Sequence, residues 1–370
     1  MKKKIPFFDY TYNYKKNSKK LKKIFHNVCS KGAYILQNEL KIFEDQIKRY
    51  TKSKYVIGVA NATDAMQMFL MASNLKKNSE IIISSHTMVA TASAIYFSGH
   101  VPVPVDFGED LLIDADSIEK SITSKTSAIL ITHLNGRTCD MDKIKKICKK
   151  HKLELFEDAA QALGSKFKGR FAGTFGKAST ISLYPAKILG CFGDGGLILC
   201  NDKNLFTRLK KIRSHGINEK NFNIDHWGFN SRLDNLQAAF LSYFFKNHNK
   251  NIYKRRYLAK LYNQELKGIK QIKLPPSPSE GKNFDIYQNY EIDCLKRDKL
   301  RNYLNKKKIG TLIQWNGIST NNLNLPGIKK FSLVSDKKFK RLLLLPMNVS
   351  LSKSDVKTIC VEIKKFYKFK

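Results

Sequence analysis

Between residues 55 and 158 the chain alternates short apolar runs with helix-length segments, and few folds accept that pattern. "YVIGVA", "EIIISS", "VPVPVD", "SAILITHL" and "LELFED" read as strands. "TDAMQMFLMASN", "MVATASAIYFSG", "DADSIEKSIT" and "DMDKIKKICKKH" read as the helices between them. Such alternation implies βαβ units and a mostly parallel sheet. The strands are continuous apolar runs, as expected when both faces of the sheet are covered. Open α/β sheets bind ligands at the carboxyl ends of their strands, so the polar residues that end these runs are the first candidates for chemistry.

After residue 196 the character changes. "KNLFTRLKKIRSHG" reads as a helix, and "LDNLQAAFLSYFFKNHNKNIYKRRYLAKLYNQEL" as a long helical stretch. "LPPSPSEGKN" (274–283) is the clearest break, its prolines and small polar residues suiting an extended connection. Beyond it a short βαβ pattern is expected. "DIYQNYEIDCL" is a strand, "RDKLRNYLNKKK" a helix, "GTLIQW" a second strand and "SKSDVKTICVEIKKFYK" a final helix. The expectation is a large α/β domain over residues 1–250 and a smaller α+β domain over 251–370.

Charge raises a competing possibility. The 370 residues carry 67 Lys and Arg against 31 Asp and Glu, a net +36, which is the balance of a nucleic-acid binder. The lysines are spread along the whole chain, however. Arginine, which leads at phosphate and base contacts, supplies only 11 of the 67 basic residues. A solvated lysine surface is expected, with no nucleic-acid partner and an attraction for anionic small substrates. No run reaches the ~18 apolar residues of a membrane span, and no apolar signal segment follows the basic start; a cytoplasmic protein is expected. The cysteines (29, 139, 148, 191, 200, 294 and 360) form no CxxC pair and fit reduced thiols, and no sequence-local cluster makes a metal site.

One lysine stands apart. In "SLYPAKILGCFGDGG" (182–196) Lys187 lies between an apolar strand end and a glycine-rich turn, where an ammonium is costly to bury without a partner. Other pieces make sense if Lys187 binds an aldehyde cofactor. In "FEDAAQ", Asp158 ends a strand and suits a pyridinium proton, with Gln161 placed to donate to a phenolic oxygen. In "GVANATDAMQMF" a strand gives way to a helix N-terminus, where the N–H groups of Ala62 and Thr63 and the Thr63 hydroxyl suit a phosphate. Ser182 offers a second hydroxyl. "HWGFNSRLDNLQAA" sets Asn230 and Arg232 before a helix. Each piece alone has a plainer reading: Asp158 capping a turn, Asn61 or Thr63 capping a helix, Asp234 capping the next.

Taken in order, "GVANATDAMQ", "HTMVATASAI", "ITHLNGRTCDMD", "FEDAAQALGSKFKGRFAGTFG", "SLYPAKILGCFGDGG" and "GFNSRLDNLQAA" resemble the DegT/DnrJ/StrS sugar aminotransferases, pyridoxal-phosphate enzymes of the aspartate-aminotransferase fold (fold type I). The resemblance is strongest over residues 30–250. It implies Lys187 as the Schiff-base lysine and proton carrier, Asp158 at the pyridine nitrogen and Gln161 at the phenolic oxygen. It implies Ala62, Thr63 and Ser182 at the phosphate, with Asn230 reaching that phosphate from the other subunit of a homodimer. His133 is expected near the cofactor, and His226 and Arg232 as substrate contacts. Met88 occupies the position where the family usually stacks an aromatic ring; His86 is a candidate to replace it. The implied reaction moves an amino group from glutamate to a nucleotide-linked keto-sugar, with ping-pong kinetics. Two alternatives use the same fold: transamination of a small phosphorylated ketone, and a sugar dehydratase, whose members typically replace the lysine by histidine.

Overall fold

The computed structural model describes residues 3–218 and 221–368. Two helices precede the first strand, α1 (Tyr12–Cys29) and α2 (Asn38–Thr51). The alternating region follows as β1 (Tyr55–Val59), α3 (Ala62–Ala72), β2 (Glu80–Ser84), α4 (Val89–Phe97), β3 (Val101–Val105), α5 (Ala115–Ser121), β4 (Thr126–Thr132), α6 (Met141–His151) and β5 (Glu154–Asp158). A two-residue ribbon, β6 (Lys166–Phe167) and β7 (Arg170–Phe171), leads to β8 (Ala178–Ser182) and β9 (Gly196–Cys200).

Seven strands form one sheet in the order β1-β9-β8-β5-β4-β2-β3. All pairs from β8 to β3 are parallel, and β9 alone runs against both of its neighbours. This is the mostly parallel sheet expected from the apolar runs. Its faces are covered by separate apolar clusters. One is built around Met68, Phe69 and Phe156 with α3 and α4, and another around Ile129, Ile131 and Ile144 with α5 and α6. The helix starts follow from sequence: Asn61, Asp114, Asp140, Asp202 and Asp234 each accept a hydrogen bond from a backbone N–H in the first turn of the helix they precede.

The helix α7 (Lys203–Arg213) leads to a loop and then to α8 (Asn235–Phe245) and α9 (His248–Leu266), so the long helical stretch is broken at residues 246–247. A second sheet follows, formed by β10 (Ile272–Lys273), β12 (Tyr290–Cys294) and β13 (Leu342–Leu345), with β11 (Asn283–Phe284) joining the β6/β7 ribbon instead. Helices α10 (Arg297–Lys306) and α11 (Lys353–Phe366) complete a separate core, in which the Tyr262 and Tyr290 rings stack and into which Ile5 packs.

The expected C-terminal βαβ is not what forms. "GTLIQW" contributes one bridge, Leu312 to Leu344, and then turns through a short 3₁₀ segment in which Trp315 and Asn316 have φ of 51° and 55°. The strand beside β12 is Leu342–Leu345, and it runs antiparallel. A run of four leucines fills a fully buried strand. "GTLIQW" instead carries a glutamine and a tryptophan, followed by Asn316, into the gap between the two cores.

Candidate active site

The carboxyl ends of β1, β4, β5 and β8 open onto one cavity of ≈ 520 Å³, closed on its far side by residues 312–316 and by Phe8. Ala62, Thr63, Met88, Asp158, Gln161, Ser182 and Lys187 all line it. Seven residues spread over 126 positions of sequence thus reach one wall, as the reading of their motifs required.

Asp158 is the last residue of β5 and is buried. Its Oδ1 accepts from the Ala160 N–H (3.1 Å), and its Oδ2 from the Thr91 hydroxyl (2.9 Å). The Thr91 hydroxyl lies 2.8 Å from that of Thr87, which lies 2.7 Å from that of Thr132. This chain of hydroxyls fixes the carboxylate. Burial pushes the Asp158 carboxyl up, and the Ala160 N–H, the Thr91 hydroxyl and the Lys187 charge pull it back. Lys187 feels the converse: burial drives its ammonium down to about 8, against the opposing pull of Asp158. An amine so placed is largely protonated at neutral pH yet close to the point of release.

Gln161 accepts at Oε1 from the Asn135 N–H (2.7 Å), which commits its amide oxygen and leaves the NH₂ as the end available to the cavity. At the opposite end, Asn61 caps α3 through its bond to the Asp64 N–H (2.8 Å), and the amides of Ala62 and Thr63 lie at the positive end of the helix. The glycines of "GDGG" have a steric purpose here. A Cβ on Gly196 would sit 2.4 Å from the Asn61 carbonyl carbon and 2.8 Å from the Ala62 nitrogen, so β9 and the start of α3 approach to a distance that only glycine allows.

Five expected residues are not on this wall. His133 follows Thr132, which pairs with Asp158 in the sheet; the pleat therefore turns His133 to the other face, toward Glu157. Its Nδ1 accepts from the Cys139 N–H (3.2 Å) and its Nε2 lies 2.8 Å from Glu157 Oε2. Glu157 also accepts from the backbone N–H groups of Gly173, Phe175 and Gly176. This pair braces the loop that carries "GRFAGTFG" and does not face the cofactor side. His86 is wedged between the Phe107 and Phe339 rings, 3.5 Å from Glu291, so it does not replace the ring absent at Met88. Met88 lines the cavity, half-exposed at the start of α4. Asn230, His226 and Arg232 lie on or just after an exposed hairpin (Ser214 bridged to Asn230, Ile217 to Ile224), and none of the three lines the cavity of its own chain.

The motifs did not disclose Thr87, Thr91, Thr132, Asn135 or Gln288. The two threonines of "HTMVAT", four apart across a helix start, were the one local signal available. Asn135 and Gln288 act through partners far away in sequence.

A carboxylate at a strand end, a partly buried amine lining the same cavity, an amide NH₂ and a helix N-terminus fit an aldehyde-bearing, phosphorylated pyridine. The set defines a pyridoxal-phosphate enzyme of fold type I. The chain belongs to the DegT/DnrJ/EryC1/StrS aminotransferase family, whose profile matches residues 15–364, and is a pyridoxal-phosphate-dependent aminotransferase. It is 33% identical to a pleiotropic regulatory protein of Geobacillus stearothermophilus over 98% of this chain and 99% of that one. It is 34% identical to the dTDP-3-amino-3,4,6-trideoxy-alpha-D-glucose transaminase of Streptomyces venezuelae over 84% of this chain and 82% of that one. Among solved structures, the S. venezuelae DesV crystal structure in complex with a ketimine intermediate superposes with a TM-score of 0.93 at 30% identity, covering 99% of both chains.

Proposed function

We propose that this aminotransferase transfers the amino group of L-glutamate to a keto-sugar carried on a nucleotide, working as a homodimer with shared sites. The observation that carries the reading is the convergence of Lys187, Asp158, Gln161 and the α3 N-terminus on one cavity. When bound, pyridoxal phosphate supplies an aldehyde for amines and a sink for the electron pair left when a Cα proton departs. Lys187 Nζ would be the amine that holds the aldehyde and, as a free amine, the group that takes and returns the proton as general base and acid. Asp158 keeps a proton at the ring nitrogen, and the Gln161 NH₂ donates to the phenolic oxygen. The Ala62 and Thr63 amides and the Thr63 and Ser182 hydroxyls hold the phosphate.

Charge supports the dimer. Among the described residues the cavity wall carries Asp158 and Asp194 against Lys187 alone, and no arginine. A cofactor phosphate, two donor carboxylates and a pyrophosphate need more positive charge than that. The hairpin that bears Asn230 and His226 is exposed and displays Phe222, Ile224 and Trp227, the last 92% exposed in the single chain. Apolar side chains this exposed suit an interface. In the proposed dimer this hairpin is the element that would supply Asn230 and Arg232 to the neighbouring cavity.

The nucleotide-sugar acceptor is supported by the transaminase of S. venezuelae named above and by the basic surface. Met88, where the family resemblance implies a stacked ring, leaves a smaller phosphorylated ketone as the second reading. The test is to load the protein with pyridoxamine phosphate and add each ketone in turn. Return of the visible absorbance with a nucleotide-linked keto-sugar is the expected result. Return with only a triose phosphate would overturn the acceptor, and failure of L-glutamate to bleach the pyridoxal form would overturn the donor.

A further inference from the structure

We infer that Gln288 is a positioning residue for Lys187, acting from the segment that joins the two cores. Lys187 lies outside any helix or strand, in the irregular turn between β8 and β9. The peptide groups on either side of it are gripped by one side chain. Gln288 Oε1 accepts from the Ile188 N–H (2.7 Å), and Gln288 Nε2 donates to the Ala186 carbonyl (2.8 Å). The amide thus straddles the lysine as a partner strand would, with one donor and one acceptor used. Both ends of the amide are satisfied only in this orientation.

The clamp is itself anchored. Gln288 is 2% exposed. The Arg255 guanidinium donates through Nη1 to the carbonyls of Tyr287 (3.2 Å), Gln288 (2.8 Å) and Met347 (2.8 Å). The Ile286 N–H donates to the Gly136 carbonyl (2.8 Å), and a Cβ on Gly136 would stand 2.6 Å from the Gln288 nitrogen. Gln288 is therefore fixed to both cores before it meets the lysine loop. An amine that must attack a carbonyl and later carry a proton needs its Cα held, because displacements near 1 Å cost on the order of 100-fold in rate.

The inference rests on Lys187 as the cofactor-binding amine. It is tested with Gln288→Met, which keeps the length of the side chain and loses both bonds. The first readout is the growth of visible absorbance when cofactor-free protein meets saturating pyridoxal phosphate; the second is single-turnover bleaching by L-glutamate. The limiting rates are expected to fall ~10–100-fold, while the half-saturating concentrations stay within about threefold, since the clamp holds the lysine rather than the ligand. Limiting rates within twofold of wild type would overturn the inference. So would a raised half-saturation with rates unchanged, because Gln288 also lines the cavity and would then be a ligand contact. Should the methionine variant fail to fold, Gln288→Glu serves: it keeps an acceptor for the Ile188 N–H, loses the donor to Ala186, and is expected to capture the cofactor more slowly than wild type; equal rates overturn the clamp. A wild-type protein that captures no pyridoxal phosphate would overturn the role of Lys187 and the inference with it.

Discussion

Replacing Lys187 with methionine should abolish turnover and, at neutral pH, make the cofactor-free protein more stable. Burial holds the Lys187 ammonium at about 8 against an ordinary value of 10.5. A gap of roughly 2.5 pH units at roughly 1.36 kcal/mol each makes the charged lysine cost about 3 kcal/mol at pH 7. In the folded protein the amine loses its proton near pH 8, whereas in the unfolded chain it keeps it up to about 10.5. Between these values the unfolded state binds more protons, so the wild type gains stability as pH rises from about 8 to about 10.5. Below that window the cost is fully present. Methionine has similar length and no charge, so it escapes the cost at every pH. A chain of this size has an unfolding entropy of roughly 0.8 kcal/mol/K, so about 3 kcal/mol appears as a Tm higher by ~4 °C. The assay is thermal unfolding of cofactor-free wild type and Lys187→Met at pH 7, 8, 9 and 10. The variant should lead at pH 7, and the lead should shrink as the pH rises. A lead that does not change with pH, or a variant less stable at pH 7, would refute the assignment of Lys187 as a buried, destabilised amine.

Asp158→Asn should still fold and capture pyridoxal phosphate but turn over on the order of 100-fold more slowly, having lost the charge beside the ring nitrogen; near wild-type kcat would remove Asp158 from that role. Thr91→Val leaves the buried Asp158 carboxylate and the Thr87 hydroxyl short of a partner and should cost about 1–3 kcal/mol in denaturant unfolding, a neutral result ruling out the hydroxyl chain as a support. Gly196→Ala drives a methyl into the Asn61–Ala62 peptide; its affinity for pyridoxal phosphate should fall by at least tenfold, and titration showing wild-type affinity would dismiss this cradle. Lys187→Ala and Asn230→Ala chains, each inactive alone, should regain roughly a quarter of wild-type activity when mixed equally, because half of the dimers carry one intact site; no recovery after subunit exchange would exclude sharing through Asn230.

The sequence made the sheet legible because burial on both faces turns each strand into an apolar run of its own, and because three of the four helices between them, all but the one that follows Met88, start on Asn or Asp caps that announce themselves. The same locality made the cofactor wall legible, since Asp158, Ser182 and the Ala62–Thr63 turn are strand ends and a helix start. Legibility stopped where geometry is set by partners distant in sequence. The family resemblance implies His133 near the cofactor, yet one step of the pleat beyond Thr132 sends it to Glu157. His86 follows the strand Glu80–Ser84, but the two phenylalanines that enclose it, Phe107 and Phe339, stand 21 and 253 residues further along the chain. "GTLIQW" has the composition of a strand, yet the chain turns at positive φ at Trp315 and the following Asn316 and closes the cavity, with Gln314 meeting the large core across the gap. Gln314 illustrates this: its Nε2 donates to the Asn135 Oδ1, and Asn289 Nδ2 donates to the same oxygen. Asn135 also passes its Nδ2 to Glu291 and its backbone N–H to Gln161. One left-handed asparagine thereby ties β12 and the 3₁₀ turn to the amide proposed to meet the cofactor's phenolic oxygen. Gln288, on the same segment as Asn289 and Glu291, ties it to the lysine. The C-terminal core therefore fixes both the amine proposed to hold the cofactor's aldehyde and the amide proposed to meet its phenolic oxygen, and a displacement of that core would be felt by both together.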